Sequence, residues 1–260
     1  MKRIILALFV AILVLSVTPL KAQYDPELDE LPVLVPDRPG YTWGAEVLPL
    51  HKVSWENGFC WESLPDGTKG VTLNSTVVRY GIVENVELRV GTDFLLLIDD
   101  PAKGSSLGVA PLTVWTKIKV YEGEGWLPSV GVLAQFGSSR IGSKELLPSH
   151  LTPSMYLLFE HALGNAFWLC YDAGLEWDGE TATPQTFLSL MAGYNFTDEL
   201  GAFVETANYL HPEDGNQYLT NFGLTWMPSR RLQLDLECDL DPQEFGKYFG
   251  LCFGVSWMIN

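Results

Sequence analysis

The chain has 260 residues, with 24 Gly, 13 Phe, 10 Tyr and 9 Trp, and 16 Lys and Arg against 32 Asp and Glu, a formal net charge of −16. A nucleic-acid partner needs a basic face, and this balance excludes one. Past the first twenty or so residues no apolar run is long enough to cross a membrane as a helix, so a membrane-embedded form of the chain has to be a closed β-barrel.

In chain order the first element is an export signal. Lys2 and Arg3 precede an apolar core from Ile4 to Val17, and Pro19 to Ala22 lead to a small residue. That order predicts a signal peptide over residues 1–22, cut after Ala22. The apolar run is shorter than the roughly 18 residues of a spanning helix, and no cysteine follows it to carry a lipid. Residues 23–50 come next. Asp25, Pro26, Glu27, Asp29, Glu30, Pro32, Pro36, Asp37, Pro39 and Gly40 make a proline-rich, acidic stretch that builds no core of its own. It is expected to be a periplasmic arm and lead-in to a barrel domain at 51–260.

From residue 51 onward apolar residues fall on every second position. Phe249, Leu251, Phe253, Val255, Trp257 and Ile259 alternate with Gly250, Cys252, Gly254 and Ser256, and Leu232, Leu234 and Leu236 with Gln233, Asp235 and Glu237. A helix would scatter those carboxylates; a strand puts them on one side. Twelve strands are predicted, at 51–63, 70–81, 86–97, 107–121, 126–137, 150–162, 166–178, 184–196, 199–210, 217–227, 230–240 and 247–259. Most exceed the usual five or six or so residues of a soluble strand and match the roughly 9 to 11 that a tilted spanning strand needs. The connections after even-numbered strands are short and those after odd-numbered strands mostly longer. Turns facing the periplasm and loops facing outward give that parity.

Alternation is shared by soluble sandwiches and membrane barrels, which differ in the face that is buried. Three features favour the membrane version. The non-apolar face is repeatedly glycine, at Gly58, Gly91, Gly131, Gly174, Gly193 and Gly223. Aromatic residues gather at strand ends, as Trp61, Phe94, Phe136 and Trp177 at one rim and Tyr80, Trp126, Phe196, Trp226 and Trp257 at the other. The last strand runs to the C-terminus without a polar tail. The fold class predicted is therefore all-β, an antiparallel transmembrane barrel of about 12 strands in a bacterial outer membrane.

Several short stretches resemble a known group. Asp37-Arg38-Pro39-Gly40-Tyr41 followed by Val53-Ser54-Trp55-Glu56-Asn57-Gly58-Phe59 is similar to the opening of the family named for the meta-pathway of phenol degradation. Val78-Arg79-Tyr80-Gly81 with Glu87-Leu88-Arg89-Val90-Gly91, Phe203-Val204-Glu205 and Leu232-Gln233-Leu234-Asp235 also resemble family segments. The resemblance covers nearly all of residues 37 to 259. It implies a barrel, and a role in moving small, apolar molecules.

His51, His150, His161 and His211 lie near strand ends or loops. No catalytic residue, cofactor or metal site is predicted. Asp235, Glu237 and Asp239 are spaced by about 7 Å along one strand and do not converge on one ion unaided. Alternation points Glu56, Glu62, Glu87, Asp93, Glu160, Asp172, Glu176, Glu205, Asp235 and Glu237 inward, with Arg89, Lys117 and Lys119. Of these, Glu87, Arg89, Asp93, Lys117, Lys119, Glu205, Asp235 and Glu237 are the transport candidates. Glu87, Arg89 and Asp93 should pair with Lys117 and Lys119 on the adjacent strand, leaving an unneutralised negative field at Glu205, Asp235 and Glu237. Cys60 and Cys252 face inward on the first and last strands, where a disulfide requires Cα atoms within about 7 Å. About twelve strands lies between filled and open barrels, so two functions fit, a passive channel for small solutes or a structural, surface-binding barrel. The expected partners are outer-membrane lipid, the barrel-assembly machinery during biogenesis and a small-molecule solute.

Overall fold

The computed structural model describes residues 32–100, 104–164, 166–212, 215–243, 246 and 248–259. The predicted signal peptide 1–22 and residues 23–31 of the predicted arm lie outside them. The described strands are β1 (Val53–Ser63), β2 (Lys69–Val83), β3 (Val86–Asp100), β4 (Gly104–Val109), β5 (Thr113–Tyr121), β6 (Ser129–Gly137) and β7 (Thr152–Leu163), followed by β8 (Phe167–Glu176), β9 (Gln185–Asn195), β10 (Leu200–His211), β11 (Gly215–Ser229), β12 (Leu232–Leu240) and β13 (Phe249–Met258). No helix among these residues is long and apolar enough to cross a membrane.

Neighbours in sequence pair antiparallel, and β1 pairs with β13 from Ser54↔Met258 to Ser63↔Phe249. The sheet therefore closes at the seam between first and last strands, and among the described strands only β4 pairs on one side, with β3. Closure counts twelve crossings, because β4 and β5 share one. The predicted strand at 107–121 is two strands, broken at Ala110–Leu112. Pro111 has no N–H for the ladder. Both pieces pair with β3, β5 along Val86–Gly91 and β4 along Phe94–Asp100. Ala110 N still donates to Asp93 O at 2.8 Å across the break.

The barrel is inside out. Val78, Tyr80, Leu88, Val90, Leu188, Leu190, Leu234, Leu236, Phe253 and Trp257 are exposed, while Glu56, Arg79, Glu87, Arg89, Lys117, Asp172, Glu205 and Asp239 are buried. A soluble sandwich buries the opposite set. An apolar exterior on a closed barrel is the arrangement that lipid stabilises. Of the aromatic residues at strand ends, Trp61, Phe94, Phe136, Tyr80, Trp126, Phe196, Trp226 and Trp257 are exposed. The rims also follow the predicted parity. His150 N donates to Gly179 O at 3.0 Å, tying the connection after β6 to the one after β8.

The arm is where the fold departs from expectation. Residues 32–50 do not stand apart in the periplasm; they enter the lumen. Leu34 N meets Arg230 O at 2.7 Å at the turn rim, and His51 N meets Gly81 O at 2.8 Å at that same rim. Between those points the chain runs into the barrel and back, with Leu34, Ala45, Val47 and Leu48 buried. The cause is complementarity. A segment with no secondary structure keeps its N–H groups unpaired, and a lumen wall rich in carboxylates has acceptors to spare.

Candidate functional site: a carboxylate-lined lumen and the segment that fills it

One side of the lumen is a balanced ion network. Arg79 of β2 grips Glu87 of β3 through Nε (3.2 Å) and Nη2 (2.9 Å), the two-pronged geometry that makes Arg–carboxylate pairs strong, and also pairs with Glu56 of β1. Arg89 pairs with Glu87 and with Asp37 of the entering segment. Lys117 of β5 stands opposite Glu87 in register, but in place of the predicted pair its Nζ goes to both Asp37 oxygens at 2.9 Å. Arg79, arriving from the other neighbouring strand, already occupies Glu87. Three cations thus meet three carboxylates, and Asp37 supplies the third. Lys119 reaches Glu46 at 3.0 Å and Glu122 at 3.2 Å, the first within the lead-in and the second after β5. Asp93 is half-buried opposite Ser75 and pairs with neither lysine.

The other side carries Glu205 on β10, Asn221 on β11 and Asp235, Glu237 and Asp239 on β12, all buried. The sequence reading left Glu205, Asp235 and Glu237 uncovered; in the structure the entering segment lies against them. Arg38 Nη2 lies 3.2 Å from Asp235 and 3.9 Å from Glu237. Gly40 N donates to Glu237 at 2.7 Å, and Tyr41 N (3.0 Å) and Thr42 N (2.5 Å) donate to Glu205. The same pattern continues with Trp43 N to Asp172 at 2.7 Å, Ala45 N to Glu160 at 2.8 Å and Leu48 N to Glu87 at 2.7 Å. Main-chain N–H groups, repeated along an irregular segment, are met by carboxylates drawn from five different strands. A hydrogen bond to a charged acceptor contributes about 1.5–3 kcal/mol.

The turning point of the segment rests on aromatic rings. The Trp43 ring centroid is 4.6 Å from Tyr156 and 5.9 Å from Phe187, and Phe187 is 5.1 Å from Tyr209. Above this layer, toward the longer connections, a cavity of about 350 Å³ is bordered by Glu176, Gln185, Tyr209 and His211. A second, of about 290 Å³, runs beside the segment past Arg38, Glu160 and Gln233. A third, of about 310 Å³, lies beneath the β4–β5 break with Asp93 and Trp115 in its wall.

Cys60 and Cys252 are direct partners across the β1–β13 seam, Cα to Cα 4.1 Å, and form a disulfide. Asp239 lies with them inside 4.8 Å. With both sulfurs bonded to each other, one free ligand group is left, which does not make a metal site.

All eight transport candidates face the lumen. The sequence reading missed Arg79, Asp37 and Arg38. Arg79 obeys the same alternation, between the outward Val78 and Tyr80, but adjacent Val77 and Val78 blur the phase of β2. Asp37 and Arg38 lie in a stretch with no period at all, so nothing local signals that they enter the barrel.

A family model described as "Putative MetA-pathway of phenol degradation" matches residues 36–240. No curated protein sequence matches the chain. Among solved structures, the COG4313 outer membrane channel from Pseudomonas putida F1 is similar at 14% identity, over 83% of this chain and 98% of that one, with a TM-score of 0.66. The NanC porin (10%, 78% and 98%, 0.57) and the KdgM porin (9%, 79% and 99%, 0.56) share the fold. Closure, apolar exterior and these likenesses together place the barrel in a bacterial outer membrane, and the chain belongs to the family of the MetA-pathway of phenol degradation.

Proposed function

We propose that the protein is a passive outer-membrane channel for small molecules with an apolar body, and that residues 32–50 hold it closed. The supporting observation is the string of N–H-to-carboxylate bonds from Gly40 to Leu48, in a segment that meets the turn rim at Leu34 and again at His51. Such a segment is held by polar contacts along its length and is not built into the sheet, so it can leave without opening the barrel wall. A barrel of about twelve strands is wider than the side-chain-filled barrels of about 8, so its withdrawal leaves a passage. The aromatic layer of Tyr156, Phe187 and Tyr209, beside a cavity bordered by Glu176, Gln185 and His211, suits solutes of modest size with an apolar face.

The filled lumen also supports a second reading, a permanently plugged barrel whose outer loops carry the function. Planar-bilayer conductance of the refolded protein separates them when compared with a variant lacking residues 23–48. The channel reading expects the shortened protein to conduct at least tenfold more than the full chain. A shortened barrel that folds, shown by its heat-dependent mobility on detergent gels, and still carries no current overturns it.

A further inference from the structure

Arg38 occupies a recess that fits a guanidinium group. Gly58 of β1 and Gly254 of β13 are register partners across the seam, and a β-carbon at either would overlap the Arg38 head group. Asp235, the register partner of Gly254 on β12, and Glu237 supply the negative wall. Two facing glycines leave a flat strip of backbone, the shape on which a planar cation lies. The recess opens onto the 290 Å³ cavity, and the Arg38 side chain keeps 21% of its surface exposed there while Asp235 keeps none.

The resident arginine does not use all that the recess offers. Its contact with Asp235 runs through Nη2 and Oδ1 alone, and Asp235 Oδ2 is buried without a hydrogen-bond partner. Arg38 Nε, beside Gly254, is likewise unpaired. Its position is a compromise with the rest of the segment, since Gln233 holds the Arg38 carbonyl at 2.8 Å and Gly40 is bound to Glu237. A free cation carries no such tether and can engage both Asp235 oxygens.

We propose that this recess is a binding subsite for small organic cations bearing a guanidinium or primary ammonium head, and that Arg38 is a tethered occupant standing in for that ligand in the closed barrel. The inference rests on the channel reading and names the solute class it admits: an apolar body for the aromatic layer, a cationic head for Asp235 and Glu237. Occupation of the recess by such a cation displaces Arg38 and removes one anchor of the segment, so ligand entry and opening are coupled.

The test uses ethylguanidinium as probe and the uncharged N-ethylurea as control, on full-length protein in detergent. Arg38→Ala should bind ethylguanidinium saturably by calorimetry, at least tenfold more tightly than Arg38→Ala/Asp235→Asn, and should not bind N-ethylurea. In the unmodified protein ethylguanidinium should raise amide exchange at Gly40, Tyr41 and Thr42 at least threefold, which needs no variant to fold. Equal binding by the two variants, or exchange that N-ethylurea raises as much, overturns the proposal. Binding is read without conduction, so a barrel that binds the probe yet never conducts defeats the channel reading alone, and one that conducts without binding defeats the subsite alone.

Discussion

Asp37 and Lys117, 80 positions apart in the chain, meet as a buried ion pair with both carboxylate oxygens 2.9 Å from Nζ. Asp37 comes from a segment without secondary structure and Lys117 from the barrel wall. The pair therefore joins the two parts of the molecule, and Arg89 closes the triad from β3.

Asp37→Asn leaves Arg89 and Lys117 facing each other with Glu87 as their remaining acid. Breaking a buried pair from one side costs about 3–5 kcal/mol, because the abandoned charge stays buried. The expected result is a lower melting temperature by circular dichroism and higher bilayer conductance, as the segment loses its grip. Asp37→Asn combined with Lys117→Met removes both charges and should recover part of the lost stability. Full additivity of the two losses would show that the pair is not coupled.

The Cys60–Cys252 disulfide closes a loop of 192 residues across the seam. A covalent link between first and last strands restricts the unfolded chain, and native disulfides contribute about 2–5 kcal/mol. Cys60→Ser/Cys252→Ser should still form the barrel, because nine further register pairs hold the seam, but should unfold at lower temperature on heated detergent gels. Reductant should shift the unmodified protein the same way and leave the double variant unmoved.

Gly81 lies where the returning limb meets the wall. It accepts from His51 N at 2.8 Å and donates to Lys52 O at 3.0 Å, and a β-carbon there would overlap the Pro49 carbonyl. Gly81→Ala should push residues 48–52 away from β2 while the β1–β2 ladder holds. Limited proteolysis of intact barrels should then cut between residues 45 and 52 faster than in the unmodified protein. Unchanged cleavage would mean that the limb is fixed by Leu48 and Glu87 alone.

At the loop rim, Asp178 accepts N–H bonds from Glu180 (2.8 Å) and Thr181 (2.9 Å), which hold its carboxyl below the usual carboxylate range, and Ser149 N does the same for Glu180 at 2.7 Å. A lowered folded-state pKa means that the contribution is present above the ordinary value of about 4 and is lost as pH falls through the lowered one. Protection of the Ser149, Glu180 and Thr181 amides, relative to their intrinsic exchange rates, should accordingly hold at neutral pH and fall as the pH drops below about 4 and through the lowered pKa values. Asp178→Asn should quicken exchange at Glu180 and Thr181 at neutral pH and leave Ser149 slow.

The sequence by itself determined the wall of this protein. Period-two alternation put Glu87, Arg89, Lys117, Glu205, Asp235 and Glu237 on one face and Leu88, Val90, Leu234 and Leu236 on the other, and a barrel keeps that division because each strand's faces are fixed by the pleat. The parity of connection lengths gave the rims, and the inward phase of Cys60 and Cys252 was compatible with the disulfide. Its failures lie where no period exists. Pro111, which has no N–H for the ladder, splits the crossing at 107–121 into β4 and β5, and both pieces pair with β3. The segment at 32–50 reads as a solvated arm, since proline and acid residues build no core. What places it in the lumen is the supply of N–H groups at Gly40 to Leu48 and the carboxylates facing them from five strands. That match exists only after the barrel has closed, so tertiary structure alone decided it.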